Sequence, residues 1–240
     1  MASTLSNKFQ NPIFVALDMD DAQAALDLST RLKGKVGGFK LGPRLLLPYG
    51  ATLVPRMREL GHVFVDNKYF DIPQTMASAV QAAFTLGATL VTVHAQAGAE
   101  ALRVCAQREA EARARDPLAR ILAVTVLTSF SADTLPPTMR SGTILQHVET
   151  LVRLGLQSGI QGFVCASHEA SSVRNLAPKA LIVTPGIRRP GEATHDQVRT
   201  TDPLAAMQAG ADVLVIGRSI LQAPDPLRVV QEISDALQIS

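Results

Sequence analysis

Three charged residues, Asp66, Lys68 and Asp71, stand close together after a run of apolar residues. Side chains two apart on a β-strand share a face, so Asp66 and Lys68 are expected to point the same way. Lys40 is expected on the neighbouring strand. An isolated D-x-K pair is more often structural, but four alternating charges in an apolar pocket are costly to bury unless they perform chemistry. The spacing therefore predicts a catalytic cluster of Lys40, Asp66, Lys68 and Asp71.

Other polar residues stand at the ends of predicted strands. Asp18 closes the first strand, Thr128 follows the fifth, and Gly217 and Arg218 follow the eighth. Any one of them taken alone could be a helix-capping residue, whereas their common placement favours a site at one end of a sheet. His94 ends the fourth strand and is interpreted as a packed polar residue rather than a catalytic one.

The elements that must position these residues alternate along the chain. Short β-branched or apolar runs are separated by amphipathic stretches, which is typical of βα units around a parallel sheet. The predicted strands are residues 13–18, 38–41, 63–68, 89–94, 121–127, 162–166, 181–184 and 213–217. A helix is expected after each strand, for example at residues 22–33, 73–86 and 225–237.

Eight such units in this length predict a (β/α)₈ barrel that occupies residues 1–240 as one domain. An open doubly wound sheet is the alternative, which the absence of a G-x-G-x-x-G turn after the first strand disfavours. Two loops, at residues 129–141 and 185–197, are expected on the carboxyl face of the barrel. The second is rich in Gly, Pro and Arg and is predicted to be a mobile lid over an anion.

Composition narrows the classes of partner. The chain has 240 residues, a formal net charge of +2 spread along its length, 4% aromatic residues and no tryptophan. These values argue against nucleic-acid binding and are compatible with a few cationic residues that bind an anionic small molecule at one site. No apolar run is long enough for a membrane span, and no secretory leader is recognised. Cys105 and Cys165 lack metal-ligand spacing and are expected to be buried thiols, which fits a cytoplasmic protein.

The sequence resembles the orotidine 5′-phosphate decarboxylase family. The segment at residues 65–75 is similar to that family's D-x-K-x-x-D-I-x-x-T signature, and the likeness covers nearly the whole chain. Further similar segments are residues 16–18, 39–42, 93–95, 126–129, 183–188, 196–197 and 215–218. The resemblance implies conversion of orotidine 5′-monophosphate to UMP and carbon dioxide, in de novo pyrimidine biosynthesis, with no metal and no cofactor.

The resemblance also implies a role for each matched residue. Lys68 would protonate C6 of the pyrimidine while Asp66 presses on the substrate carboxylate and Lys40 balances charge. Asp71, with Ile72 and Thr75, would reach into the neighbouring site of a homodimer. The residues implied to hold the substrate are Asp18 and Lys40 at the ribose, Thr128 at the pyrimidine edge, and Arg188, Gln197, Gly217 and Arg218 at the phosphate.

Departures from the family pattern fall on positions without an assigned role: Asn67, Tyr69 and Phe70. The doubled Arg188-Arg189 leaves open which guanidinium meets the phosphate, and Arg188 is preferred. Two rival functions stay open. Magnesium-dependent sugar-phosphate enzymes of the same superfamily also look like D-x-K-x-x-D, but an acidic metal ligand is expected where this chain has Lys40. An inactive nucleotide-binding barrel would be expected to lose the charged cluster, which is intact here.

Overall fold

The computed structural model describes residues 9–139, 141–189 and 200–239. Eight parallel strands pair in chain order, and β1 pairs with β8 to close the sheet into a barrel. The strands are β1 (Ile13–Ala16), β2 (Gly38–Leu41), β3 (His62–Tyr69), β4 (Leu90–His94), β5 (Arg120–Val124), β6 (Gly162–Val164), β7 (Leu181–Thr184) and β8 (Val213–Ile216). The predicted (β/α)₈ fold is confirmed.

Helices cover the outside of the barrel. Within the described ranges they are α1 (Ala22–Leu32), α2 (Pro43–Arg58), α3 (Pro73–Leu86), α4 (Ala99–Arg113), α5 (Ile144–Gln157), α6 (Ser167–Leu176), α7 (Pro203–Gln208), α8 (Arg218–Leu221) and α9 (Pro226–Leu237). The expectation of a helix after each strand is confirmed, and β8 is followed by two, the short α8 and then α9. Phosphate sites of this fold are often built at such an extra helix after the last strand.

Four of the eight predicted strands were too long at their carboxyl ends, β8 by a single residue. β1 stops at Ala16, β5 at Val124 and β6 at Val164, two to three residues before the predicted limits. The residues beyond these ends include Leu17, Val126 and Cys165, which are buried in the apolar core, and Leu17 and Cys165 still donate backbone hydrogen bonds to the neighbouring strands. Apolar composition therefore overestimates strand length at this end. β3, in contrast, runs one residue further than predicted at each end.

The side chains alternate between two apolar layers. One layer fills the barrel and includes Phe14, Phe64 and Val215, and the other lies between strands and helices and includes Val15 and Val63. Gly38 makes room for this packing: a Cβ there would lie 2.4 Å from the His62 carbonyl oxygen and 2.6 Å from the Phe14 ring. The packed interior supports the strand ends rigidly, so the polar residues that follow them are held in place.

Candidate active site

A cavity of about 820 Å³ opens at the carboxyl ends of the strands, which is where active sites of this fold are built. Loops and strand ends from most of the barrel contribute to its wall. Eight of the residues singled out from the sequence line it: Asp18, Lys40, Asp66, Lys68, Thr128, Arg188, Gly217 and Arg218.

A continuous array of charges forms one wall of the cavity, with Asp66 at its centre. The Asp66 Oδ1 atom lies 2.9 Å from Lys68 Nζ, and Oδ2 lies 3.3 Å from Lys40 Nζ. Lys40 Nζ also donates to Asp18 Oδ1 at 3.1 Å. Lys68, Asp66, Lys40 and Asp18 therefore alternate in sign along the array.

Both buried members of the array remain charged. Burial alone would raise the pKa of Asp66, but the ammonium groups of Lys40 and Lys68 and hydrogen bonds from Lys68 and Thr92 outweigh it, and the pKa lies below its usual value. Burial alone would lower the pKa of Lys40, yet the carboxylates of Asp66 and Asp18 raise it overall. The cavity therefore holds fixed charges of both signs before any ligand enters.

Lys68 lies at an irregularity of β3. Val65 pairs with Val91 and Tyr69 pairs with Val93, so the three residues 66–68 face the single residue Thr92 on β4. Lys68 has a φ of 49°, in the left-handed region, which costs a non-glycine residue about 1–2 kcal/mol. Regular alternation of side chains along β3 was expected to bring Asp66 and Lys68 together. The irregularity, a β-bulge at residues 66–68, does so instead. The Lys68 side chain is 40% exposed, so its ammonium group is accessible from the cavity.

Sequence reasoning missed two residues that hold the array. Thr92, fully buried on β4, donates to Asp66 Oδ1 at 2.9 Å and accepts from the Lys68 backbone N–H at 2.9 Å. Arg44, at the start of α2, donates to the Asp18 carbonyl oxygen at 2.8 Å and pairs with the carboxylate of Asp20. A polar residue between two valines in a buried strand was the available signal for Thr92; nothing in the sequence distinguished Arg44.

The loops after β7 and β8 bring cationic groups to the opposite part of the cavity. Arg188 is buried in the cavity wall, and Arg218 begins α8 directly after Gly217. Arg189 instead pairs with Glu232 on α9 at 3.0 Å. Guanidinium groups beside a helix start are suited to a phosphate. The geometry favours Arg188 over Arg189 for this contact.

Asp71, Ile72 and Thr75 lie outside the cavity wall. Within this chain Asp71 does not reach the array: its side chain is exposed and accepts a hydrogen bond from the Ile72 backbone at 2.6 Å. The chain turns from β3 into α3 at this point, which directs these residues away from the barrel axis. Asp18 is the fourth charge that the fold brings to the array. Gln197 lies outside the described residues.

The remaining candidates, His94, Cys105 and Cys165, do not belong to the charged array. The His94 ring packs against the Phe70 ring in a tilted arrangement, with ring centroids 5.7 Å apart. Burial, together with the charge of Lys68, lowers the pKa of His94. Cys105 and Cys165 are both buried, as predicted, and burial raises the pKa of the Cys105 thiol to about 11. Among the residues that the structure describes, no three His, Cys, Asp or Glu side chains are grouped to hold a metal ion. Nor does any helix in those ranges have the length and apolarity needed to cross a membrane.

A closed parallel barrel with a charged cavity at the carboxyl ends of its strands defines a (β/α)₈ protein with the layout of an enzyme. A model of the Orotidine 5'-phosphate decarboxylase / HUMPS family matches residues 11–233. The chain therefore belongs to that family.

Similar proteins extend over nearly the same length. A protein of Shewanella sediminis named orotidine 5'-phosphate decarboxylase is 39% identical over 234 residues, covering 95% of this chain and 97% of its own. One of the same name from Rhodospirillum rubrum is 41% identical over 231 residues, covering 94% and 93%. The crystal structure of orotidine 5'-phosphate decarboxylase from Lactobacillus acidophilus superimposes with a TM-score of 0.80 at 29% identity, covering 94% of this chain and 98% of that one.

Proposed function

We infer that the chain decarboxylates orotidine 5′-monophosphate to UMP and carbon dioxide, as a carboxy-lyase of pyrimidine nucleotide synthesis. The observation that carries this inference is the Lys40–Asp66–Lys68 array, which faces an anion-binding end across one cavity. The family and relatives at about 40% identity support the same activity. A cavity of about 820 Å³ has the size of ordinary small-molecule sites, so a nucleotide monophosphate is accommodated.

Chemically, the reaction requires a stabilised carbanion and a nearby acid. The bond between C6 and the carboxylate breaks, its electron pair stays on C6, and carbon dioxide leaves. We propose that Lys68 then transfers a proton from Nζ to C6, and that its ammonium charge stabilises the developing carbanion. The proposed role of Asp66 follows from its fixed negative charge: it disfavours a substrate carboxylate beside it, and loss of carbon dioxide relieves that repulsion.

The proposed binding roles follow the same division of the cavity. Asp18 and Lys40, joined at 3.1 Å, are assigned to the ribose hydroxyls, and Thr128 after β5 to the pyrimidine edge. The phosphate is assigned to Arg188, Gln197, Gly217 and Arg218. Binding energy from the phosphate and ribose, remote from the bond that breaks, would organise the reacting end.

We also propose that the active form is a homodimer in which Asp71, Ile72 and Thr75 enter the neighbouring site. Asp71 lies between Phe70 and Ile72, whose side chains are 63% and 67% exposed. Large apolar side chains exposed close together support a surface that another protein covers. The whole chain, 1–240, is proposed to act as one domain, and the two buried cysteines, Cys105 and Cys165, support a cytoplasmic setting.

Purified protein is expected to consume orotidine 5′-monophosphate, followed as the loss of orotidylate absorbance, at the same rate before and after dialysis against EDTA. The physical reason is that the ammonium groups of Lys40 and Lys68 occupy the place where a metal would stabilise charge. Absence of turnover by pure protein would contradict the function. Activity that EDTA abolishes and Mg²⁺ restores would instead favour a magnesium-dependent sugar-phosphate enzyme.

Replacing Arg188 by Ala is expected to raise KM by about 100-fold, because a charge-assisted contact to phosphate is lost. Arg189→Ala is the matched control, since Arg189 pairs with Glu232, and its KM is expected to stay within about threefold of wild type. Steady-state kinetics of the two variants make the comparison. Equal effects, or a larger one at Arg189, would overturn the assignment of Arg188.

A further inference from the structure

Thr92 is a threonine that the proposed reaction does not use, yet it contacts two parts of the catalytic array. It lies on β4 with no exposed surface. Its Oγ1 atom is 2.9 Å from Asp66 Oδ1, 2.9 Å from the Lys68 backbone nitrogen and 3.5 Å from the Val65 carbonyl oxygen. A hydroxyl can donate one hydrogen bond, and it donates to the nearer, charged carboxylate of Asp66 in preference to the Val65 carbonyl.

The position of Thr92 opposite the bulge explains why a hydroxyl is needed there. Three residues of β3 face this one residue of β4, so the regular backbone ladder is interrupted. The Lys68 N–H would be left without a ladder partner, and the Thr92 hydroxyl oxygen accepts it instead. One side chain thus satisfies the backbone of the proposed acid, Lys68, in its left-handed conformation.

The same hydroxyl also fixes the orientation of the carboxylate. Asp66 Oδ1 accepts from both Lys68 Nζ and Thr92, while Oδ2 faces Lys40. Without the hydroxyl, Oδ1 keeps only the flexible Lys68 side chain as a partner, so the carboxylate can rotate and carry the ammonium group with it. Reacting atoms have to be held closely for efficient transfer, and small displacements reduce rate strongly.

We propose that Thr92 is a positioning residue, which holds Asp66 and the Lys68 backbone in register for decarboxylation through a single buried hydroxyl. The proposal rests on the proposed function. Arg188 and Arg218 line the cavity and Thr92 does not, so the Thr92 hydroxyl is expected to affect turnover rather than substrate binding.

The test compares Thr92→Val, which keeps the shape and removes the hydroxyl, with Thr92→Ser, which keeps the hydroxyl. We expect Thr92→Val to lower kcat by about 10- to 100-fold with KM within about threefold, and Thr92→Ser to keep kcat within about fivefold of wild type. Affinity for UMP, measured by calorimetry, should be unchanged in both, because the ribose and phosphate contacts remain. A merely structural role would instead weaken UMP binding along with kcat.

Equal kcat in Thr92→Val and wild type would overturn the positioning role, as would an equal loss in Thr92→Ser and Thr92→Val. If Thr92→Val does not fold, Thr92→Cys takes its place. It has the shape of Thr92→Ser with a much weaker hydrogen-bonding group, and a kcat equal to that of Thr92→Ser would count against the proposal. Lack of turnover by the wild-type protein would contradict the proposed function itself, which separates the two failures.

Discussion

Lys68→Ala is expected to reduce kcat for orotidine 5′-monophosphate by at least about 10⁴-fold, since one change removes both the proton donor and the charge that stabilises the carbanion. It also leaves Asp66 paired only with Lys40 and Thr92, so a negative charge faces the substrate with less compensation. Single-turnover kinetics on the variant, with product UMP separated by chromatography, would measure the residual rate.

Loss of activity through misfolding has to be separated from loss of activity through removal of the Lys68 ammonium group. Lys68 is already a non-glycine residue in the left-handed region, so alanine adds no further backbone strain there. The barrel is therefore expected to stay intact, and the temperature of thermal unfolding should stay within a few degrees of wild type. Lys179→Ala, an exposed lysine before β7, is the matched control and should retain full activity. Appreciable decarboxylation by the folded Lys68→Ala protein would remove Lys68 from its proposed role.

The second large effect is expected at Asp71. Asp71→Ala should lower kcat by about 10³-fold, although the side chain is exposed and lies outside the cavity wall of its own chain. The reason is the proposed homodimer, in which the carboxylate completes the array of the neighbouring subunit. Asp27→Ala, at an exposed position on α1, is the control and should retain wild-type kcat.

Hybrid dimers test whether Asp71 acts across the interface. Lys68→Ala and Asp71→Ala chains, co-expressed with different affinity tags and purified through both, form dimers with one copy of each. If Asp71 acts in the partner's site, one site carries both changes and the other carries neither, so about half of wild-type activity per dimer is expected. If Asp71 acts within its own chain, both sites are defective and the hybrid is inactive. A monomeric active protein would contradict the homodimer directly.

Much of the fold follows from local patterns. Apolar runs of strand length alternate with amphipathic segments, and Pro73 begins α3 and Gly87 ends it, as their conformational preferences predict. The limits of the strands were less accurate at the barrel mouth, because residues such as Leu17 and Val126 are buried in the same apolar core as the strands that they follow. Apolar composition cannot distinguish such residues from those of the strand itself.

The candidate site was predictable in its membership and less so in its geometry. Residues as distant in sequence as Asp18 and Arg218 were expected at one cavity because the carboxyl ends of parallel strands meet at one end of a barrel. Thr92 was missed because an isolated threonine in a strand has no distinctive spacing. Asp71 is close to Asp66 in sequence, but the turn from β3 into α3 keeps it outside the cavity wall of its own chain.

The sequence by itself determined the eight βα units, the family and the chemical types at the mouth of the barrel, because those depend on hydrophobic periodicity and on local motifs. The tertiary structure alone decided which charges touch. Bulge formation at residues 66–68, the pairing of Lys40 with both Asp18 and Asp66, and the pairing of Arg189 with Glu232 all depend on contacts between segments far apart in the chain. Such contacts are fixed by how strands pack around a common axis, which the residue pattern of any one segment does not contain.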